Sequence, residues 1–203
     1  MDALRMPTTT TRGGRLASER LRTIVVLVVV GVVLAGAAVV VEQPWATDGY
    51  SGVTLTGDVS GAAPAAGMVP PDFKAVAAID GTPVSLAALQ GKPVWLTFGA
   101  SWCADCRAEA PDLQATYEKY AGQGLVVLSV AIDEDEQAVR DYARRAGLTF
   151  TQVADPSTAI ASRYRILGVP THFFISPDGV IKEVRLGGLP PAEMERLVGT
   201  ILQ

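Results

Sequence analysis

Cysteine and histidine are scarce in this chain, whose 203 residues include two cysteines and one histidine. No third cysteine is available to form a structural disulfide elsewhere or to complete a zinc site with four sulfur ligands. His172 is the only other soft metal ligand, and its place in a predicted strand beside aromatic residues indicates an ordinary strand histidine. The sequence therefore predicts neither a bound metal ion nor another cofactor.

Positive charge is also limited, because 17 lysines and arginines stand against 21 aspartates and glutamates, a net charge of −4. The chain has no block of like charges and no internal repeat. This balance argues against nucleic acid or an anionic lipid surface as a partner. The composition, 49% apolar with 20 glycines and 13 prolines, is typical of a globular protein.

Long apolar runs are confined to one place, residues 24–41, which contain no charged residue over 18 positions. This length is just enough to cross a bilayer core as a helix. Residues 1–23 carry five arginines and two acidic residues, so the positive-inside rule predicts that they lie in the cytoplasm and that the rest is exported. A cleaved signal peptide is the alternative to this signal-anchor, although the run is longer than a usual signal core.

Residues 42–67 are rich in glycine, proline, alanine, serine and threonine, and they predict a flexible linker after the anchor. Trp45 and Tyr50 are expected near the membrane–water boundary, which aromatic rings favour. A short strand around residues 53–56 is the alternative. The remaining residues, 68–203, suffice for one domain with its own core.

Within this domain, apolar runs and turn signals predict strands that alternate with helices, followed by a hairpin and a last helix. This order predicts an α/β sandwich with a mixed sheet. The predicted strands are 93–99, 125–132, 150–153, 171–175 and 180–186, the predicted helices are 105–120, 134–146, 156–164 and 191–202, and a hairpin over 75–86 precedes them.

The two cysteines, Cys103 and Cys106, lie where a predicted buried strand ends and a predicted helix begins. Thiols this close can form one small ring disulfide, so the pair is interpreted as reactive. Backbone N–H groups at a helix N-terminus stabilise a thiolate, which favours Cys103 as a reactive thiol. Asp105 between the cysteines opposes a thiolate at Cys103 and predicts a reducing poise for the pair.

Two runs of the sequence resemble the thioredoxin fold: Trp-Cys-x-x-Cys, ending at Cys106, and Gly-Val-Pro-Thr over residues 168–171. Three further features are similar to its TlpA/ResA branch, namely the Pro-Asp-Phe opening at 71–73, the Cys-x-x-Cys-Arg-x-Glu-x-Pro run at 103–111, and the extra strand and helix at 149–164. The members of this branch are membrane-tethered thiol–disulfide oxidoreductases that act outside the cytoplasm. The resemblance covers residues 68–203.

The resemblance implies a thioredoxin-like fold whose central mixed sheet is flanked by helices. An N-terminal β-hairpin extension and an inserted strand–helix are part of it, and a single transmembrane helix precedes it. It also implies that Cys103 is an exposed nucleophile and Cys106 the buried resolving thiol. Glu109, partly buried near them, would handle the proton of Cys106. Pro170 would be cis, would lie against the disulfide and would leave neighbouring backbone free to pair with a substrate strand. The implied docking residues are Trp102, Val169 and Thr171.

The implied activity is reduction of disulfides in exported proteins, with electrons from a membrane thiol-reductant donor protein. Apocytochrome c is the best-known client of the family. The branch dedicated to cytochrome maturation often has Pro-Glu where this chain has Pro170 and Thr171, which leaves the client open. A disulfide-forming oxidase of the same fold is one alternative. A thiol peroxidase is another, but its Pro-x-x-x-Thr-x-x-Cys loop is not matched, because Leu96 takes the proline position.

Overall fold

The computed structural model describes residues 24–30, 50–57 and 59–203. It divides into two units, residues 1–46 and 47–203. Residues 24–30 form a helix with exposed side chains. Among the described residues, no helix combines the length and the apolar character that a membrane crossing requires. Most of the predicted anchor, like the predicted cytoplasmic arm and Trp45, lies outside the described residues.

The second unit is built on a five-stranded sheet with the strand order β6-β5-β4-β8-β9. Strands β4, β5 and β6 are parallel, whereas β8 is antiparallel to β4 and β9 is antiparallel to β8. This confirms the predicted mixed sheet. The strands of the chain are β1 (Ser51–Gly52), β2 (Lys74–Val76), β3 (Pro83–Ser85), β4 (Val94–Gly99), β5 (Val126–Ile132), β6 (Thr151–Asp155), β7 (Gly168–Val169), β8 (Thr171–Ile175) and β9 (Ile181–Leu186).

Helices cover both faces of this sheet, because its central strands are apolar on both sides and cannot face water. On β4, Leu96 and Phe98 pack into one core cluster and Trp95 packs into the other. Helices α1 and α4 cover the Trp95 side, and α3 covers the opposite side. The helices are α1 (Ala104–Ala121), α2 (Glu136–Ala146), α3 (Ala159–Tyr164) and α4 (Pro191–Gly199), and a single 3-10 turn spans Ala87–Leu89.

Local capping explains where two helices begin later than predicted. Helix α2 begins at Glu136 because the side chain of Asp135 accepts the N–H of Ala138 at 2.8 Å. Helix α3 begins at Ala159 because the buried carboxylate of Asp155 accepts the N–H groups of its first turn. The predicted elements are otherwise present, with ends displaced by up to three residues.

Strands β2 and β3 form the predicted N-terminal hairpin, in which Ala75 pairs with Val84. Gly81 turns the chain with a φ of 74°, a conformation that glycine adopts without a steric penalty. An isolated antiparallel bridge between Ala77 and Val153 joins the hairpin to β6. The hairpin therefore extends the domain at the β6 edge of the sheet.

Residues 50–57 lie inside the predicted flexible linker, yet they pair with the domain. Strand β1 is antiparallel to β7, so that Ser51 faces Val169 and Gly52 faces Gly168. From Ser51 to Gly57 the residues alternate between half-buried and exposed, as in a strand with one face on the protein. A flexible linker does not describe this segment, and the strand lies two residues before the alternative predicted around 53–56.

Candidate active site

The structure brings Cys103 and Cys106 together as a disulfide at the start of α1, with their Cα atoms 5.3 Å apart. Cys103 is the N-cap residue of this helix, and its Sγ atom accepts the backbone N–H of Cys106 at 3.1 Å. This N–H points at the sulfur that would carry the negative charge in the reduced protein. The predicted stabilisation of a thiolate at Cys103 therefore has a specific donor.

Cys103 is fully buried, with 0% of its surface exposed, whereas 8% of Cys106 is exposed. The expectation of an exposed Cys103 is therefore wrong for this disulfide state. The physical reason is that Cys103 Sγ lies 3.6 Å from the carbonyl oxygen of Val169, inside a core cluster that also contains Phe98. A thiol that opens the disulfide at Cys103 must first uncover this sulfur.

The loop before Cys103 is held from two sides. The carboxylate of Glu134 accepts the N–H of Ser101 at 2.8 Å and also accepts its hydroxyl. The guanidinium of Arg107 donates to the carbonyl oxygen of Ser101 at 2.8 Å. Sequence reasoning missed Glu134. Its signal was its place directly after β5, because the ends of adjacent parallel strands meet at one edge of the sheet.

The peptide bond between Val169 and Pro170 is cis, as the resemblance implied. The adjacent residue Thr171 is buried, and its hydroxyl donates to the carbonyl oxygen of Gly168 at 2.6 Å. Thr171 therefore holds the turn and does not present a docking side chain. The resemblance implied free backbone next to Pro170. This backbone is occupied instead, because Val169 pairs with Ser51.

Trp102 is the exposed side chain of the site, with 43% of its surface accessible. Its indole N–H donates to the carbonyl oxygen of Ile132 at 3.3 Å, which fixes the ring above the carboxyl end of β5. An anchored, half-exposed indole provides apolar contact area at low entropic cost. The exposed part of the Trp102 ring is free to contact another molecule, and its docking role stays a prediction.

Glu109 is buried on the inner side of α1, with 7% of its surface exposed. One carboxylate oxygen, Oε2, accepts the N–H of Leu189 at 3.1 Å. The other, Oε1, lies 3.6 Å from Nε2 of His172. Arg107, two residues earlier on the helix, donates to the carbonyl oxygen of Ser101 and forms no ion pair with Glu109.

A small cavity of about 40 Å³ joins Cys106 to Glu109, and Glu134 and Tyr142 also line it. This volume is enough for about one or two water molecules. Burial raises the pKa of Tyr142, with opposition from Arg107 and reinforcement from the carboxylates of Glu109 and Glu134. The phenol therefore stays protonated at neutral pH, which leaves the carboxylates as the groups of the cavity able to take a proton from Cys106.

The structure has no cluster of three or more histidine, cysteine, aspartate or glutamate residues suited to a metal ion among the residues it describes. A cysteine pair at a helix N-terminus, beside a cis-proline loop and a buried carboxylate, supports dithiol–disulfide exchange. On this α/β sheet, that arrangement defines a thiol–disulfide oxidoreductase of the thioredoxin fold.

Comparison with known proteins gives the family. The model of the AhpC/TSA family matches residues 66–184, more than half of the chain. The chain therefore belongs to the AhpC/TSA family, and within the thioredoxin superfamily it is a ResA-like protein.

Similar proteins are named for the same activity, thiol–disulfide exchange. The thiol-disulfide oxidoreductase ResA of Geobacillus kaustophilus is 32% identical over 137 residues, which cover 68% of this chain and 78% of that protein. ResA of Oceanobacillus iheyensis is 36% identical over 121 residues, 60% of this chain and 62% of that protein. A secreted disulfide oxidoreductase of Mycobacterium tuberculosis, described as homologous to DsbE of Escherichia coli, superposes with a TM-score of 0.57 at 27% identity, covering 63% and 95% of the two chains.

Proposed function

We propose that this oxidoreductase is tethered to the cell membrane by residues 24–41, acts outside the cytoplasm and reduces disulfides in exported proteins. The observation that carries the proposal is the position of the disulfide. Cys103 lies against the Val169 backbone, where a client can pair, and Cys106 opens to the cavity of Glu109. One cysteine therefore faces the client and the other faces a proton acceptor.

The reaction proceeds in two exchanges. The thiolate of Cys103 attacks one sulfur of the client disulfide, forms a mixed disulfide and releases the other client sulfur as a thiolate, which takes a proton from solvent. Cys106 then gives its proton to the carboxylate of Glu109, directly or through cavity water. Its thiolate attacks Cys103 Sγ, closes the Cys103–Cys106 disulfide and releases the second client sulfur as a thiolate, which takes a proton from solvent while Glu109 returns its own proton to solvent. Two electrons pass from the dithiol to the client.

A reductant must return those two electrons, and we propose a membrane protein with its own dithiol as the donor. Outside the cytoplasm no glutathione pool keeps such a pair reduced. Support for an exported site comes from the 18-residue uncharged run after an arginine-rich terminus. The Mycobacterium tuberculosis neighbour is described as secreted, which agrees with an exported site. We propose that residues 1–23 are the cytoplasmic arm of this anchor.

The direction of exchange is the point on which an oxidase of the same fold differs. Asp105 is half-buried between the cysteines, and its negative charge opposes a thiolate at Cys103, which favours the oxidised protein and hence a reducing pair. Equilibration of the full chain in glutathione and in dithiothreitol redox buffers measures the potential. We expect a value below about −170 mV, and a higher value would contradict the reductase.

The client class is tested by trapping. Without Cys106 the mixed disulfide on Cys103 has no resolving thiol, so Cys106→Ala expressed in its own cell should hold its clients covalently. Exported proteins that are released by reductant and identified by mass spectrometry support the proposal, and an apocytochrome c among them would name the client. Recovery of a peroxide-oxidised Cys103 without bound protein would instead favour a thiol peroxidase.

A further inference from the structure

The edge of β7 is where a client strand is expected to pair, and a segment of this chain already occupies it. Ser51 pairs with Val169 and Gly52 pairs with Gly168. The N–H of Val53 continues the ladder by donating to the carbonyl oxygen of Leu167 at 3.0 Å. A client that adds a strand to this edge uses the same backbone groups. Both strands cannot hold them at the same time.

The fit of this segment includes a side chain. A Cβ atom at Gly168 would lie 2.4 Å from Cδ2 of Tyr50, so only glycine leaves room for the aromatic ring at this point. The ring of Tyr50 therefore packs directly on the backbone of β7, two residues before the cis-proline. This contact shows what the docking edge accepts, namely an extended strand preceded by an aromatic residue.

The far end of the segment has a second anchor. The N–H of Thr56 donates to Oγ1 of Thr158 at 2.9 Å, and its hydroxyl donates to the carbonyl oxygen of Ser157 at 2.8 Å. The N–H of Gly57 donates to Oγ of Ser162 at 3.0 Å. Thr158 itself has a φ of 52°, a costly conformation for a β-branched residue. These hydrogen bonds thus form a specific attachment of the segment to the domain.

We infer that residues 50–57 are a built-in occupant of the client-docking edge, which an extended client strand displaces before its disulfide reaches Cys103. This inference rests on the proposed function, because it concerns the same site. The segment lies next to the reactive sulfur, because Ser51 pairs with Val169, whose carbonyl oxygen lies 3.6 Å from Cys103 Sγ. It also identifies the preferred client as an extended polypeptide with an aromatic residue at the position that Tyr50 now fills.

The test replaces Val53 by proline in the full chain, which removes the N–H that donates to Leu167. Val53→Ala keeps this N–H and removes the side chain, and Ala62→Pro places a proline in the exposed part of the chain outside the pairing. Hydrogen exchange of the 50–57 peptide reports whether the segment is released. The reduced proteins are then reacted with insulin, a protein disulfide, and with 2,2′-dithiodipyridine, a small one.

We expect protected amides over residues 50–57 in the parent chain and loss of this protection in Val53→Pro. The insulin rate relative to the small-disulfide rate should rise about fivefold, the equivalent of one net hydrogen bond. Ala62→Pro should leave this ratio unchanged, and Val53→Ala, which keeps the N–H but loses side-chain packing on the core, should raise it less than Val53→Pro. Tyr50→Ser combined with Val53→Pro should raise the ratio further. An unprotected segment in the parent chain, or an unchanged ratio after demonstrated release, would overturn the inference. A parent chain that reacts with neither disulfide would overturn the proposed function itself, whatever the exchange data show.

A second inference concerns His172, which is fully buried on β8. Its Nδ1 lies 3.3 Å from the indole N–H of Trp95 and 3.0 Å from Oγ1 of Thr97. An indole N–H can only donate, so Nδ1 is the acceptor and the ring proton of the neutral imidazole is on Nε2. Within the described part of the chain, Nε2 has no hydrogen-bond partner and lies 3.6 Å from Glu109 Oε1.

The geometry assigns His172 as a positioning residue for Glu109. Its Nε2–H faces one carboxylate oxygen while the N–H of Leu189 binds the other, so two donors orient the group and stabilise its negative charge. At 3.6 Å the first contact is electrostatic and longer than a hydrogen bond. Other ionisable groups also lie around the pair. Glu134 and Tyr142 line the cavity, Arg107 acts on Tyr142, and Asp105 lies with Glu109 near Gly188. Arg185, with its ion-pair partner Glu193, is opposite His172 on β9.

The test compares His172→Leu with His172→Gln, which keeps an N–H donor, by measuring the pH dependence of mixed-disulfide resolution. We expect His172→Leu to change the pH at which the resolution rate is half-maximal. His172→Gln should keep this pH close to that of the parent chain. In the Glu109→Gln background, His172→Leu should have no further effect, because His172 acts through Glu109. Near-ultraviolet circular dichroism checks the fold of each variant. An unchanged profile in folded His172→Leu, or full additivity in the double variant, would overturn the assignment.

Discussion

The Cys103–Cys106 disulfide is bordered mainly by backbone groups on one side and by buried side chains on the other. On the proposed docking side, backbone groups of Val169 and its neighbours are paired with β1, and Trp102 is the main exposed side chain. On the interior side lie buried side chains, among them Glu109, the proposed proton acceptor. Backbone pairing accepts many client sequences, whereas a single fixed carboxylate serves one proton transfer. The difference explains how such a protein can be general in its clients and specific in its chemistry.

The comparison is tested most severely by removing each cysteine in turn. Cys103→Ser should abolish exchange with any disulfide, because the sulfur that faces the docking edge is gone. Cys106→Ala should retain the first exchange and accumulate mixed disulfide, because only the interior step is lost. Mass spectrometry of the reaction with insulin distinguishes the two. A mixed disulfide on Cys106 in the Cys103→Ser protein would show that the two sides are not distinct.

The next largest effect is expected from Glu109→Gln, which keeps the shape and removes the proton acceptor. Resolution of the mixed disulfide should slow by about a hundredfold or more, the usual contribution of a positioned general base. The rate of attack by Cys103 should change little. Rapid mixing with a preformed mixed disulfide measures the resolution step directly.

Tyr142→Phe is the matched control for this cavity. Burial raises the pKa of Tyr142, so its phenol is protonated in the folded chain throughout the range in which thiols titrate, about pH 6–9. Its hydroxyl therefore contributes no titration there, and the pH profile of resolution should be the same with and without it. A displaced pH profile in Tyr142→Phe would show that the assignment of the proton transfer to Glu109 is wrong.

Among the substitutions expected to have an effect, the smallest is expected on the docking side, from Trp102→Ala. The lost contact area should weaken insulin binding by a few fold, since one half-exposed aromatic ring contributes about 1 kcal/mol. This change should appear in KM and leave the resolution rate intact. A large loss in kcat with unchanged KM would contradict a docking role.

The main elements could be predicted because their causes are local. The continuous apolar runs that became β4 and β5, and the turn residues around Gly81, specify strands and a hairpin by themselves. The cysteine pair and Glu109 were found for the same reason, since spacing along one helix fixes their proximity.

The features that were not predicted depend on contacts between residues far apart in the chain. Cys103 is buried by Val169, 66 residues later, and no local pattern reports that distance. Strand β1 exists because Gly168 leaves space for Tyr50, a complementarity that neither segment shows alone. His172 was predicted to be an ordinary strand histidine. Its contact with Glu109 was not predicted, because Trp95 and Thr97, which lie across the sheet, determine which ring nitrogen faces Glu109.

The division of the site into a docking side and an interior side is tested most directly by resolving the two chemical steps for Val53→Pro and Glu109→Gln. Stopped-flow tryptophan fluorescence with insulin gives a second-order rate for the attack of Cys103 and a first-order rate for resolution by Cys106. Val53→Pro should change only the attack, and Glu109→Gln should slow only the resolution. If both substitutions change the same step, the account is contradicted.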